Sequence, residues 1–237
     1  DCEPPAMTAS TPRRAGRPRT NRQPIDRPPR DEAIAVASRL FAEKGFAATT
    51  MREIAERSGL QQSSIYYYFK SKDDILEAIV GEVNRVVLEG VTRIARDGGS
   101  AGLRLFRTLR FDVTMLCGLP CDVNEILRLP ALQEDRFAGY WKERQVLNDE
   151  VEALLAEGVA DGELVPMDVR LAALSLLSND EATQNWYRTL GEHRLAGDYE
   201  PQEIGDFLAA MALQAFLVDR RRLVGIRRRA DELDAIR

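Results

Sequence analysis

The residues best suited to chemistry lie in one short run. Gln62, Ser63 and Ser64 open a segment in which Ile65 and Phe69, four apart, mark an inward helical face. A glutamine on an exposed first turn can pair with adenine, and serine is small enough to let a helix approach base edges closely. Just upstream, Thr50 stands three residues before Glu53, a capping-box spacing, and a short helix is expected from about Met51 to Ser58 with Met51, Ile54 and Ala55 inward. Gly59 ends it, where a left-handed turn costs glycine little. Ahead of this pair, Ala33, Ala37, Leu40 and Phe41 recur at i, i+4, i+7 and i+8 and stop at Gly45, the pattern of a supporting helix. Ala55 must be small because the following helix crosses close over it. Two short helices on a tight glycine turn form a helix-turn-helix. Its chemistry is recognition of DNA, with no bond made or broken.

The charge distribution agrees. The chain has 237 residues, 44% of them hydrophobic and 30% charged, enough for one large domain or two small ones with a real core. Its net charge of −5 divides unevenly: residues 1–72 carry 13 Lys and Arg against 8 Asp and Glu, whereas 73–237 carry 20 against 30. Residues 13–30 hold seven arginines against Asp26 alone. Such asymmetry suits one end that meets a polyanion, although basic tails are also often merely solvated. Residues 1–30 have prolines at 4, 5, 12, 18, 24, 28 and 29 and no apolar period, as in a flexible arm. Within it Gly16-Arg17-Pro18-Arg19 looks like the core of an AT-hook, which would lay Arg17 and Arg19 in a narrow minor groove. The alternative is non-specific attraction to phosphate.

The remainder reads as helix throughout. Ile75, Leu76, Ile79, Val80, Val83, Val86, Val87, Val91 and Ile94 hold a 3.6-residue period across 72–96. Gly98, Gly99 and Gly102 break it, and Leu103, Phe106, Leu109 and Val113 mark the next helix. An irregular stretch lies between Pro120 and Pro130. Phe137, Trp141, Leu147, Val151, Leu154 and Leu155 mark another helix, ending near Gly158 and Gly162. A helix is expected over 168–190 with Asp168 as its cap, and one from Pro201 to about 218. Leu223, Ile226, Ala230 and Leu233 suggest a last helix between the arginine clusters 220–222 and 227–229. No segment alternates with period two, so the fold class is all-α.

These features exclude several functions. No stretch is apolar enough to cross a membrane, and the Pro- and Arg-rich start lacks the core of a secretory signal, so a cytoplasmic location is expected. Cys2, Cys117 and Cys121 form no disulfide framework; Cys117 and Cys121 read better as buried thiols than as a redox pair. His193, the one histidine, falls in a polar stretch. There is no Gly-rich phosphate loop, no Gly-x-Ser-x-Gly elbow and no metal cluster. The chain is therefore expected not to be an enzyme and to need no cofactor or metal.

The run Phe41-Ala-Glu-Lys-Gly-Phe-Ala-Ala-Thr-Thr-Met-Arg-Glu-Ile-Ala-Glu-Arg-Ser-Gly-Leu, followed by Ser64-Ile-Tyr-Tyr-Tyr-Phe-Lys-Ser-Lys-Asp-Asp-Ile-Leu, resembles the TetR family of bacterial transcriptional regulators. The match covers residues 31–76; beyond it only helix pattern and length agree. The resemblance implies that 62–69 is a recognition helix in the major groove of a palindromic operator. It places Tyr66, Tyr67 and Lys72 at phosphate-bonding positions, with Thr50 and Arg52 also on the DNA backbone. Tyr68 is expected to pack against the supporting helix. Gln61 departs from the family, standing where a capping Ser or Thr is common.

The acidic remainder resembles the family's ligand-binding and dimerisation half. The expected organisation is an arm (1–30), a three-helix DNA-binding domain (31–76), a larger helical domain (77–218) and a basic C-terminal tail or helix (219–237). The helices at 168–190 and 201–218 would build a four-helix bundle with a second copy. In the latter, Ile204, Phe207, Leu208 and Met211 form one apolar face and Leu213 and Leu217 another. A pocket is expected among the middle helices, lined by Phe106, Leu109, Met115, Phe137, Trp141 and Trp186. Asn179, Asp180, Gln184 and Asn185 would supply polar contacts. The implied protein is a homodimeric repressor released by a small apolar or amphipathic effector. Control by a partner protein, without a small ligand, is the alternative.

Overall fold

The structure, a computed structural model, describes residues 27–119, 124, 126, 128–187 and 198–235. Arg17, Arg19, Pro120, Cys121 and His193, and the end of the helix expected to reach 190, lie outside the described residues.

Pro29, whose missing N–H is no loss in a first turn, opens α1 (Pro29–Lys44). Thr50 caps α2 (Met51–Arg57), its hydroxyl accepting from the Glu53 amide at 3.2 Å. Gly59 takes φ +64° in the turn to α3 (Gln62–Tyr68), and the Leu60 amide bonds back to the Ala55 carbonyl at 2.8 Å. Ser71 and Asp74 then form a full capping box at the start of α4 (Lys72–Ala95). Ala33, Ala37, Leu40, Ile54, Ala55, Ile65, Phe69, Ile75 and Leu76 close over one another as a first core.

The second half follows from α4. Ser100 caps α5 (Ala101–Gly118) by accepting from the Leu103 amide. Two 3-10 turns, Pro130–Gln133 and Asp135–Phe137, lead into α6 (Ala138–Ala160). Asp168 caps α7 (Val169–Ala182), as its position predicts. The helix expected over 168–190 is interrupted: the Thr183 amide bonds to the Asp180 carbonyl, only three residues back, and a short α8 (Gln184–Tyr187) follows. Gln184 is drawn inward there, donating to the Leu116 carbonyl at 2.6 Å. The chain ends in α9 (Pro201–Phe216) and α10 (Arg222–Asp234).

A second core joins Val87 and Val91 of α4 to α5, α6, α7, α9 and α10. Closest to α5 lies α9, where Gly205 leaves no room for a methyl: a Cβ there would stand 2.6 Å from the Arg110 carbonyl. Two arginines of α5, Arg107 and Arg110, are buried and hold α10 by ion pairs to Asp231 and Asp234. The apolar face expected at Ile204, Phe207, Leu208 and Met211 splits. Ile204 packs inward against Val113 and Cys117, while Phe207 is 66% and Met211 50% exposed. The inward face of α9 is completed by Leu213 and Leu217.

Candidate functional site

The reading surface is built by α2 and α3. Gln62 and Ser63 are exposed, Ser64 is half-buried, and Ile65 behind them is fully buried and fixes the rotation of α3. Gln61 caps this helix with no side-chain bond, consistent with its departure from Ser or Thr. Tyr67 is 83% and Tyr66 46% exposed, so both rings are open to solvent on this face. Tyr68, expected to pack away, is instead 37% exposed and meets Tyr67 edge-on at 5.1 Å, because Ile65 and Phe69 already fill the inward face. Arg52 is exposed on α2 and pairs with Glu56 at 2.9 Å. Thr50, Arg52, Gln62, Ser63, Tyr66 and Tyr67 are thus solvent-facing on two adjoining helices.

Lys72 stands differently. Its ammonium donates to the carbonyls of Phe46, Ala47 (3.3 Å) and Thr49 (2.8 Å), and it lies 4.3 Å from the centre of the Phe46 ring. An ammonium has three donors, and three carbonyls take them. Partial burial pulls its pKa down from the ordinary lysine value. Lys72 therefore fixes the loop that leads into α2.

Asp74 connects this unit to the second half. Its carboxylate accepts from the Lys70 amide at 2.7 Å, the Ser71 amide at 3.2 Å and the Ser71 hydroxyl. It also receives Arg136 from the 3-10 turn before α6. Arg136, first among these partners, holds the Asp74 carboxyl down at about 2. Between α1, α4 and α6 runs an open cleft of about 670 Å3 lined by Asp74, Glu77, Arg85, Arg136, Phe137 and Tyr140, among others.

The six residues expected to line a pocket, and the four expected to supply its polar contacts, are not brought together in one cavity. Phe106 and Leu109 are fully buried in the second core, and Met115 packs against it half-buried. Phe137 belongs to the first core and the open cleft. Trp141 lies toward solvent, its indole N–H donating to the Leu132 carbonyl at 2.8 Å. Trp186 packs beside Val113, Cys117 and Ile204. Gln184 is engaged with Leu116, and Asn179 and Asn185 are exposed.

A different set lines a partly open cavity of about 30 Å3 between α4, α5 and α6: Ile79, Val80, Val83, Asn84, Val87, Asp112, Leu116, Ile126, Tyr140, Arg144 and Leu147. Asn84 donates to Glu143 at 2.8 Å, and Arg144 pairs with Glu181 of α7. Burial drives the Asp112 carboxyl up to about 7; Arg144 opposes that rise and Glu181 adds to it. Asp180 is also raised well above its ordinary value, first by burial and then by Asp112 and Glu181. Of the run Asn179-Asp180-Glu181, the first residue faces out and the other two turn toward this wall. Sequence reasoning missed Asn84, Asp112 and Arg144. A signal existed for two of them: Asn84 interrupts the stripe Val80–Val87 at helical spacing, and Asp112 interrupts Leu109–Leu116 likewise.

Comparison with known proteins gives a consistent picture. Residues 33–79 match the model of "Bacterial regulatory proteins, tetR family", and residues 126–216 match "Tetracyclin repressor-like, C-terminal domain". The HTH-type transcriptional repressor KstR2 of Rhodococcus jostii is 33% identical over 175 residues, covering 68% of this chain and 81% of the relative. KstR2 of Mycolicibacterium smegmatis is 26% identical over 204 residues, covering 83% and 93%. Among solved structures, a bacterial regulatory protein in the tetR family from Rhodococcus RHA1 superposes with a TM-score of 0.69 at 26% identity, covering 81% of this chain and 98% of that one.

Proposed function

Given that the chain belongs to the TetR family of bacterial transcriptional regulators, we propose that it is a homodimeric repressor released from a palindromic operator by a small effector. It is a regulator and not an enzyme, as are the relatives it matches. The relatives named above are repressors, which supports the sign of the regulation. In this reading Gln62, Ser63 and Ser64 meet base edges, while Tyr66, Tyr67, Thr50 and Arg52 bond phosphates. The arm would add Arg17 and Arg19 in the adjoining minor groove.

The observation that carries the reading is the double role of α4. Its first turn is locked to the DNA-binding helices through Ser71, Lys72 and Asp74, and its middle, Ile79 to Val87, lines that small cavity. An apolar or amphipathic molecule entering that cavity must push α4 away from α5 and α6. The state so favoured would misalign the two recognition helices, which must sit about 34–36 Å apart on the operator. Exposed Phe207 and Met211 on α9, with Leu171 and Leu174 on α7, give a second copy an apolar surface to cover. Among the described residues no helix is long and apolar enough to cross a membrane; a repressor acts where its operator is, and in this reading that is the cytoplasm.

Fluorescence anisotropy on duplex DNA from beside its own gene, at several salt concentrations, tests the reading. Tight, selective binding with a steep salt slope is expected, and Gln62→Ala should lose about 1–3 kcal/mol of discrimination at one base pair in each half-site. Binding no tighter than to random DNA overturns it. The cavity's small volume favours one second reading, control by a protein partner without a small ligand. Failure of every cavity-binding compound to release the operator would select it.

A further inference from the structure

The wall behind this cavity gathers three carboxyls, two of them buried, beside one guanidinium among the described residues. Asp112 on α5 lines the cavity and is 4% exposed, and Asp180 on α7 is 2% exposed. Glu181 adjoins them on α7. Among the described residues, the cation facing this trio is Arg144 of α6, and it pairs with Glu181. From α4 comes Asn84, whose amide donates to Glu143 of α6, and Tyr140 of α6 lines the same space. Asp180 Oδ2 is shut away from solvent and has no hydrogen-bond partner. Three carboxyls stand against one guanidinium with an orphaned oxygen among them, so burial holds protons on Asp112 and Asp180 that a buried cation could replace.

We propose that the effector is an organic amine, its ammonium taken by Asp112 with Asp180 and Glu181 behind it, on an apolar body that spreads Ile79, Val83, Val87 and Leu116. The proposal rests on the effector-released reading above and narrows the ligand to one charge class. At about 30 Å3 the cavity is large enough to admit a water, and so an ammonium group of similar size. The head therefore fits as the space stands, while the body must displace side chains of α4. A carboxylate or phosphate head would add a further negative charge to an acidic, buried wall. A neutral hydroxyl could donate a hydrogen bond yet would gain nothing from the Asp112 carboxylate once its proton is released.

Calorimetric titration of the full chain with benzylamine, benzyl alcohol and benzoate tests this directly. Benzylamine should bind at least about tenfold more tightly than the other two. Its affinity should fall between about pH 8 and pH 6, as Asp112 takes up the proton that the ammonium must displace. Asp112→Asn keeps the side-chain shape and should abolish the preference, and Asp180→Asn should weaken it, circular dichroism confirming that both variants fold. Equal or tighter binding of the alcohol or benzoate overturns the proposal. So does absence of benzylamine binding, or an unchanged preference in folded Asp112→Asn. Operator anisotropy separates the two levels: selective DNA binding without amine binding removes the amine and leaves the repressor, whereas loss of selective DNA binding removes the repressor itself.

Discussion

Arg136 and Asp74 join the two halves of the molecule through one guanidinium. Arg136 Nη2 reaches both Asp74 and Glu77, the latter at 2.9 Å, while Asp74 also accepts the amides of Lys70 and Ser71 directly behind α3. A side chain anchored just before α6 therefore holds the backbone from which the recognition helix hangs. Motion of α6 against α4 is transmitted to that turn as a pull on a fixed ion pair.

Replacing Arg136 by alanine should cut this link. Both side chains are about 30% exposed, so solvent screening limits the loss of stability to about 1 kcal/mol. Asp74 is held at about 2, below its value in the unfolded chain near 3.8. Its contribution is therefore full above about pH 4 and disappears as pH falls toward 2. Urea unfolding of the two proteins should differ at neutral pH and converge in acid. Operator affinity without effector should change little, whereas the effector concentration needed for release should rise.

Lys72 offers a sharper distinction. The family resemblance places it on a phosphate, but its three donors are taken by Phe46, Ala47 and Thr49 carbonyls. Lys72→Met should cost about 1–3 kcal/mol of stability by leaving those acceptors without a donor. DNA affinity should fall through disorder of the loop before α2, with the slope of log K against log salt unchanged. A direct phosphate contact would instead lower that slope by about 1. Thermal melts and salt-dependent anisotropy on one variant separate the two roles.

The DNA-binding half was legible because its constraints are local. Gly59 at φ +64°, small Ala55 beneath α3 and the Thr50 and Ser71 caps each act within a few residues. A period of 3.6 likewise located α4, α5, α6 and α9. What stayed hidden depends on contacts distant in sequence. Lys72 reads as a surface cation until the loop at 46–49 folds back over it. Phe106 and Trp141 read as pocket candidates because aromatic residues suit cores and cavities equally. Asp112 reads as a solvated acid until α6 and α7 bring Arg144 and Glu181 against it, some 32 and 69 residues later.

The exposed apolar residues of α7 and α9 make the dimer testable. Phe207 is 66% and Leu171 61% exposed, more than an isolated helix pair needs to leave uncovered. Phe207→Glu places a charge on that surface without touching the core, so helicity by circular dichroism should hold. Light scattering after gel filtration should show the wild type at about twice 26.6 kDa and the variant shifted toward the single-chain mass. Operator affinity should fall steeply, since one recognition helix alone reads only half a site.

Asp112 sets a pH dependence of opposite sign to that of Asp74. Its folded-state value of about 7 lies above the unfolded value near 3.8, so the folded chain keeps a proton that the unfolded chain has released. Stability therefore falls as pH rises from about 4 to 7, and the full cost is present above 7. The groups facing it are Arg144 from α6 and Asp180 and Glu181 from α7; beyond burial itself, Arg144 reduces the cost and Glu181 increases it. Asp112→Asn removes the ionisable group while leaving Arg144 its partner Glu181. The variant should match the wild type near pH 4 and exceed it at about pH 8 by at least about 1 kcal/mol, a rise in Tm of about 2–4 °C. Thermal melts of both proteins across that range read the difference directly. A gap that stayed constant with pH would mean that Asp112 is already paired in the folded state, its charge balanced without a ligand.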